Sequence, residues 1–340
     1  MSIQDVARQA NVSVATVSRV FNLPDKVSPD TRERVESVAR ALGYRPNASA
    51  RTLRTQRSRV LGVVLPTLLN PVFAECLDGI AHAAAERGYA ILPVTTNYQL
   101  GQEVRAVDHL LSENVDGMIL VVSNPATSVA LVRLDAAGTP YVLAYNRHPD
   151  HPCVSVDSEL AVAQLVAHLA ALGHREIAMV CGQLSASDRA QQRHRGFVTG
   201  MQAALLEPRV LEVPFIDTAA ASLAALLQDS RRPTALVCSN DLLAIRAIRA
   251  VRQAGLRVPE DVSVTGFDGI ALGLDLTPML STIVQPNARI GETSAAMIVQ
   301  ALAEGLPLAA GASQILPHSW RAGESCGAAL LPPTALEDSP

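Results

Sequence analysis

From residue 60 onward, short unbroken apolar runs alternate with longer amphipathic segments. The runs are VLGVVL (60–65), AILPV (90–94), GMILVV (117–122), PYVLAY (140–145), EIAMVC (176–181), TALVC (234–238) and DVSVTGF (261–267). Strands that are apolar throughout, instead of alternating, belong to parallel sheets covered on both faces. Segments of helical length lie between them, at 71–88, 102–114, 158–173, 189–206, 241–255 and 287–305. This alternation predicts an α/β fold with parallel sheets. About 265 residues exceed what one core comfortably encloses, so two lobes are expected. Such folds bind ligands at the carboxyl ends of their strands, here in the cleft between the lobes.

The first 46 residues follow a different period. Ser2 and Asp5 have capping-box spacing ahead of a short helix over 3–10, and Ser13 can cap a second helix over 14–21. That second helix turns Val17, Val20 and Phe21 inward and leaves Val14, Ala15, Ser18, Arg19 and Asn22 outward. A third helix starts at Ser28-Pro29-Asp30 and stops at Gly43, with Pro46 beyond. Three short helices with a tight first joint fit a helix-turn-helix, and they equally fit a small helical cap with ordinary surface arginines. Charge separates this part from the rest. Residues 1–60 carry 11 Lys+Arg against 5 Asp+Glu, whereas residues 61–340 carry 17 against 27. The modest net charge of −4 therefore conceals a basic front end suited to a polyanion.

The strings VARQANVSVATVSRVFN, VSPDTRERV and ALGYRPNASARTLR resemble the DNA-binding headpiece of the LacI/GalR family of bacterial transcriptional repressors. By that resemblance Val14, Ala15 and Arg19 read bases, while Ser13, Thr16, Ser18 and Asn22 touch phosphates. The chemistry agrees: a guanidinium can bridge O6 and N7 of guanine, and small apolar side chains can sit against thymine methyls. Residues 47–59, NASARTLRTQRSR, hold four arginines and no acid, which read alone is a solvated linker. The resemblance makes it a hinge that folds on operator DNA, with Asn47, Ala50 and Arg51 at the DNA and Leu53 as a minor-groove wedge.

The remainder is similar to the family's effector domain, itself similar to periplasmic sugar-binding proteins. The matching pieces include LPTLLNPVFAECLDGI, VDGMILV, RHRGFVTGM, PTALVCSNDLLA, VPEDVSVTGFDG and STIVQP. The resemblance implies a pocket of Asn70, Phe73, Arg147, Arg193, Asn240, Asp268 and Gln285, with Arg195 also near the cleft. Acid, amide and guanidinium side chains suit vicinal hydroxyls, and Phe73 offers a flat face to ring C–H groups. Read without the resemblance, Asn240 can simply cap the next helix and Arg193 can pair with Asp188. A sugar or sugar-acid effector is implied, with the carboxylated sugar preferred on account of Arg147, Arg193 and Arg195. The family often has Asp where this chain has Asn146, which loosens transfer of any one ligand's identity.

Other chemistry is not indicated. No GxGxxG after a strand, Walker loop, GxSxG elbow or HExxH occurs, so no catalytic role is expected. The two histidines of HPDH (148–151) lack a further ligand set, and neither metal nor cofactor is expected. Five dispersed cysteines read as buried thiols. The opening MSIQDVARQA lacks a signal-peptide pattern and no long apolar span follows, so a cytoplasmic protein without membrane contact is expected. The organisation expected is a headpiece at 1–46, a hinge at 47–59, a two-lobed core at 60–326 and a tail at 327–340. With three prolines and no leucine heptad in that tail, a homodimer on a near-palindromic operator is expected. The rival readings are a solute-binding protein and a sugar-processing enzyme of the same α/β type.

Overall fold

A computed structural model describes residues 1–44, 57–213 and 220–329. The chain divides into two compact units, Met1–Ser58 and Arg59–Pro340.

In the smaller unit, α1 (Ile3–Gln9), α2 (Val14–Asn22) and α3 (Pro29–Ala41) enclose a small aliphatic core. The capping box forms as its spacing predicts: Ser2 Oγ accepts from Asp5 N, and the Asp5 carboxylate accepts from Ser2 N at 2.9 Å. Ser13 caps α2 through Thr16 N at 3.1 Å. Ser28 precedes α3, yet its hydroxyl is given to Thr31 Oγ1 and no side-chain cap forms. Val6, Val17, Val20 and Val35 are almost wholly buried, with Ala7, Ala10 and Ala39 between them. Ile3, Phe21, Leu42 and Tyr44 pack against this cluster from its edges.

The larger unit holds two six-stranded sheets. The first has the order β11-β5-β4-β3-β1-β2 and is parallel throughout. Its strands are β1 (Val60–Leu65), β2 (Ala90–Thr95), β3 (Gly117–Leu120), β4 (Tyr141–Ala144), β5 (Cys153–Val156) and β11 (Gln314–Leu316). The second, β12-β10-β9-β8-β6-β7, is parallel except for β12 on β10. Its strands are β6 (Ile177–Cys181), β7 (Arg209–Glu212), β8 (Ala235–Cys238), β9 (Ser263–Asp268), β10 (Ser281–Val284) and β12 (Ser319–Arg321). All seven apolar runs become strands. The sequence pattern misses β5, β7, β10, β11 and β12. β5 and β10 carry serine or threonine among their apolar residues, and β7, β11 and β12 are short, partly exposed edge pieces. Pro93 is tolerated in β2 because that strand lies at a sheet edge and its missing N–H leaves no ladder partner unmet.

Successive side chains of β1 go to opposite faces: Leu61, Val63 and Leu65 join one apolar cluster and Val64 another. The first face is covered by α4 (Pro71–Glu86) and α11 (Asn287–Glu304), the second by α5 (Leu100–Ser112) and α6 (Val129–Ala137). On the second sheet α7 (Ser158–Ala171) and α8 (Asp188–Ala203) pack on one face, and α9 (Ala220–Leu227) and α10 (Asp241–Gln253) on the other. α4 and α11 touch backbone to backbone. A Cβ on Gly79 would lie 2.1 Å from Ala288 O, and one on Gly291 would lie 2.1 Å from Cys76 O. Chain order thus makes three passages between lobes: after β5, between β10 and α11, and between β11 and β12. Among the described residues no helix is long and apolar enough to cross a membrane.

Candidate functional site

Two sets of residues carry chemistry, one on each unit. On the smaller unit α2 faces solvent with Val14, Ala15 and Arg19, all exposed, while Val17 and Val20 anchor its other side. The Arg19 guanidinium has no ion pair or hydrogen bond among the described residues. The polar positions have local partners. Ser13 Oγ lies 2.9 Å from Thr16 Oγ1, and Asn22 Nδ2 donates to Ser18 O at 2.7 Å. These bonds hold the hydroxyls and amide along the rim of the helix. Asn47, Ala50, Arg51 and Leu53 lie outside the described residues.

On the larger unit a cavity of about 310 Å³ opens between the carboxyl ends of the two sheets. Asn70, Phe73, Arg193, Asn240, Asp268 and Gln285 all line it. Asp268, at the end of β9, is its electrostatic centre. Its Oδ1 accepts from Arg193 Nη2 at 3.2 Å and from Gln285 Nε2 at 2.8 Å. Burial pushes this carboxyl up to about 6, against the Arg193 charge and hydrogen bonds from Asn70 and Gln285. It also holds φ +118°, a conformation a non-glycine residue keeps only where its surroundings enforce it. Arg193 does not pair with Asp188. Its Nη1 donates to Ser239 O at 2.5 Å, its guanidinium lies 3.8 Å over the Phe267 ring, and its buried Nε has no partner among the described residues. Asn240 does cap a helix, accepting from Leu243 N at 2.9 Å, and lines the cavity as well.

Sequence reasoning missed Tyr98, Tyr145 and Arg189 in the cavity wall. Tyr98 lies in the turn after β2, where the carboxyl-end rule points. Arg189 precedes Arg193 by four residues, one helical turn on the same face. Phe73 meets Tyr145 edge to face at 5.8 Å. Arg189 Nη1 donates to Val122 O at 2.8 Å and to Asp188 Oδ1 at 3.2 Å, which ties the start of α8 to the other lobe.

Arg147 is placed elsewhere. It pairs with Asp157 at 3.0 Å and lines a separate groove with Arg195, which pairs with Glu159 at 3.1 Å. The residue next to the predicted one, Asn146, faces the seam: it bonds Val122 O at 2.8 Å and Asp188 Oδ1 at 2.6 Å. The histidine rings of HPDH meet at a tilt with centroids 4.9 Å apart, and among the described residues no group of three or more metal ligands exists. All five cysteines are free; four are buried and Cys326 partly so.

Comparison with known sequences agrees with this division. A profile described as bacterial regulatory proteins, lacI family, matches residues 2–47, and one for a periplasmic binding protein-like domain matches residues 166–326. The HTH-type transcriptional repressor PurR of Aliivibrio salmonicida is 32% identical over 88% of this chain and 91% of its own length. The chain belongs to the lacI family. A second lacI-type relative, the HTH-type transcriptional repressor CytR of Escherichia coli K12, is 33% identical over 88% of this chain and 89% of its own. The crystal structure of the lac repressor dimer bound to operator and the anti-inducer ONPF is similar with TM-score 0.86 and 28% identity. It covers 96% of this chain and 98% of that one. As a lacI-family member the chain is a DNA-binding transcriptional regulator.

Proposed function

We propose that this protein is a homodimeric repressor that reads a near-palindromic operator with α2 and answers to a small polyhydroxylated effector in the interlobe cavity. The observation that carries the reading is the pairing of two unlike surfaces in one chain. One is an outward α2 face with a free guanidinium on a basic unit. The other is an aromatic-walled cavity of ligand size at strand ends, with acid, amide and guanidinium groups set in its wall. Val14, Ala15 and Arg19 are the base-reading set, and Ser13, Thr16, Ser18 and Asn22 the phosphate-side set. Residues 47–59 serve as hinge, with Asn47, Ala50, Arg51 and Leu53 at the DNA. The assignment of 1–46 as headpiece, 60–326 as effector core and 327–340 as tail belongs to this reading, as do a cytoplasmic location and the absence of catalysis. Two-fold assembly is supported by the operator-bound dimer of the lac repressor and by the small DNA surface a single headpiece covers.

The effector is a sugar or sugar acid. Asp268, Asn240, Gln285 and Arg193 offer donors and acceptors to adjacent hydroxyls, and Phe73, Tyr98 and Tyr145 offer ring faces. A regulator bound to cellobiose is a structural relative, with TM-score 0.69 and 27% identity, covering 96% of this chain and 99% of that one. Charge favours the neutral sugar, since Arg193 is already matched by Asp268 and Arg189 by Asp188. A sugar acid is the second reading. It rests on Arg189, whose guanidinium shows only its Nη1 engaged among the described residues. The test is a thermal-shift screen of the protein with neutral sugars and aldonates, then binding to its own upstream DNA with and without each hit. Salt-insensitive binding with no duplex preference, whatever the sugar, refutes the reading.

A further inference from the structure

Beside the cleft, on the far side of Asp188, lies a larger groove of about 770 Å³. It too runs between the lobes: Arg147, His148, Ser155 and Ser313 come from the first, and Glu159, Gln192 and Arg195 from α7 and α8 of the second. We propose that this groove is a second ligand site, for a zwitterionic solute of the amino-acid class.

Its wall carries both charge signs as two half-exposed ion pairs, Arg147–Asp157 and Arg195–Glu159. Pairs this accessible contribute little to stability, so a ligand can exchange for either partner at small cost. A simple anion entering the groove displaces the carboxylates and leaves them facing it. A simple cation does the same to the arginines. A molecule with both groups satisfies both walls: its carboxylate takes a two-pronged bond from an arginine, and its ammonium takes the acid that arginine releases.

Gln192 adds an acceptor to the groove wall. Its side chain is only 4% exposed, and its Nε2 donates to Asp188 Oδ2 at 3.0 Å. That bond requires the nitrogen to face the carboxylate, so the carbonyl Oε1 is turned away. Oε1 accepts no hydrogen bond among the described residues, while Gln192 lines the groove. That oxygen keeps solvent access and is an acceptor open to the groove, and an ammonium there supplies it with a donor. Leu160, Ala163 and Ile315, of which Leu160 and Ile315 are about half exposed, give an apolar side chain somewhere to rest.

The groove is wired to the cleft. Asp188 Oδ2 faces Gln192 and, at 3.5 Å, Arg147 N, whereas its Oδ1 faces Asn146 and Arg189, and Arg189 lines the cleft. A solute that bridges the lobes here is sensitive to their separation and so biases it.

The experiment is calorimetric titration of the full-length protein with each of the common L-amino acids, with inorganic phosphate and glucose as separate arms. The proposal expects saturable one-site binding of at least one amino acid. That affinity falls about tenfold or more in Arg195→Ala, a change at an exposed side chain that does not threaten folding. It persists in Asn240→Ala, which removes a cleft side chain and the cap of α10 but leaves the groove's lining untouched. Absence of saturable binding by any amino acid overturns the proposal, as does binding that Arg195→Ala leaves intact or Asn240→Ala abolishes. Binding confined to phosphate or glucose overturns the ligand class. None of these readouts uses DNA or a cleft ligand, so they stand apart from the repressor reading above.

Discussion

Asp241 begins α10 beneath the cleft wall with no solvent exposure, and it gives a sharp test of the buried electrostatics. Its Oδ1 accepts from Thr282 Oγ1 at 2.5 Å and its Oδ2 from Ile270 N at 2.8 Å. Burial, and then the nearby Asp268 charge, push the carboxyl from 3.8 up to about 7, against those two hydrogen bonds. For an acid whose native pKa is raised, the native state holds the proton more tightly than the unfolded chain. The contribution of Asp241 to stability is therefore largest below about pH 4 and is lost as pH rises through about 7. Three units at 1.36 kcal/mol each amount to roughly 4 kcal/mol. The positive end of α10 favours the charged form by about 0.3–1 kcal/mol, leaving roughly 3. Asp241→Asn is neutral at every pH and keeps both bonds. Its oxygen accepts from Ile270 N, and its NH₂ donates to the Thr282 hydroxyl, which turns to Ile283 O at 3.3 Å. The variant should match the parent near pH 4 and exceed it by roughly 3 kcal/mol at pH 8. Urea unfolding followed by circular dichroism across that range measures the difference. A variant less stable than the parent at pH 8, or a constant offset between them, refutes the reasoning.

Arg19→Ala should weaken specific DNA binding by roughly 1–3 kcal/mol and relax one operator position; footprinting on single-base operator variants checks both, and an unchanged preference contradicts a base-reading role. Affinity for a hydroxyl-bearing effector should rise as pH increases from 5 to 7, since Asp268 accepts as a carboxylate only above about 6, and Asp268→Asn should flatten that slope. Gly266→Ala should destabilise the larger unit by about 1–3 kcal/mol, because the added methyl falls 2.1 Å from Asp241 Oδ1; an unchanged urea midpoint would show that this wall gives way freely.

What the sequence reveals follows from where energy is local. Seven strands and six core helices are legible because each is an apolar run or an amphipathic period complete within itself. The caps at Ser2 and Ser13 are legible for the same reason: donor and acceptor lie three residues apart. Strand β10 is not, because its serine and threonine are satisfied by distant groups: Ser281 Oγ accepts from Gly323 N, and Thr282 Oγ1 donates to Asp241. The cleft residues are legible through resemblance: of the seven positions it implies, six line the cavity and Arg147 lines the neighbouring groove. Nothing within the chain's own periodicity tells which of two adjacent residues, Asn146 or Arg147, turns into the seam between the lobes; the exit from β4 decides it.

The same seam shows why a single departure from a family pattern is a poor guide by itself. Asn146 stands where the family often has aspartate, and in sequence it reads only as a lost charge. In the fold it lies wholly buried, accepting from Val122 N at 3.0 Å while its amide donates to Asp188 Oδ1 at 2.6 Å. An aspartate there would set two carboxylates at hydrogen-bond distance, and one would have to hold a proton. The acid at this seam is instead supplied from the opposite lobe by Asp188, with Asn146 as its donor. Asp188 is itself pushed up by burial, against the Arg189 charge and hydrogen bonds that include the one from Asn146. The amide and the acid are therefore one matched feature reaching across the two lobes. It is visible only once β4 and α8, forty-two residues apart at these positions, are brought together.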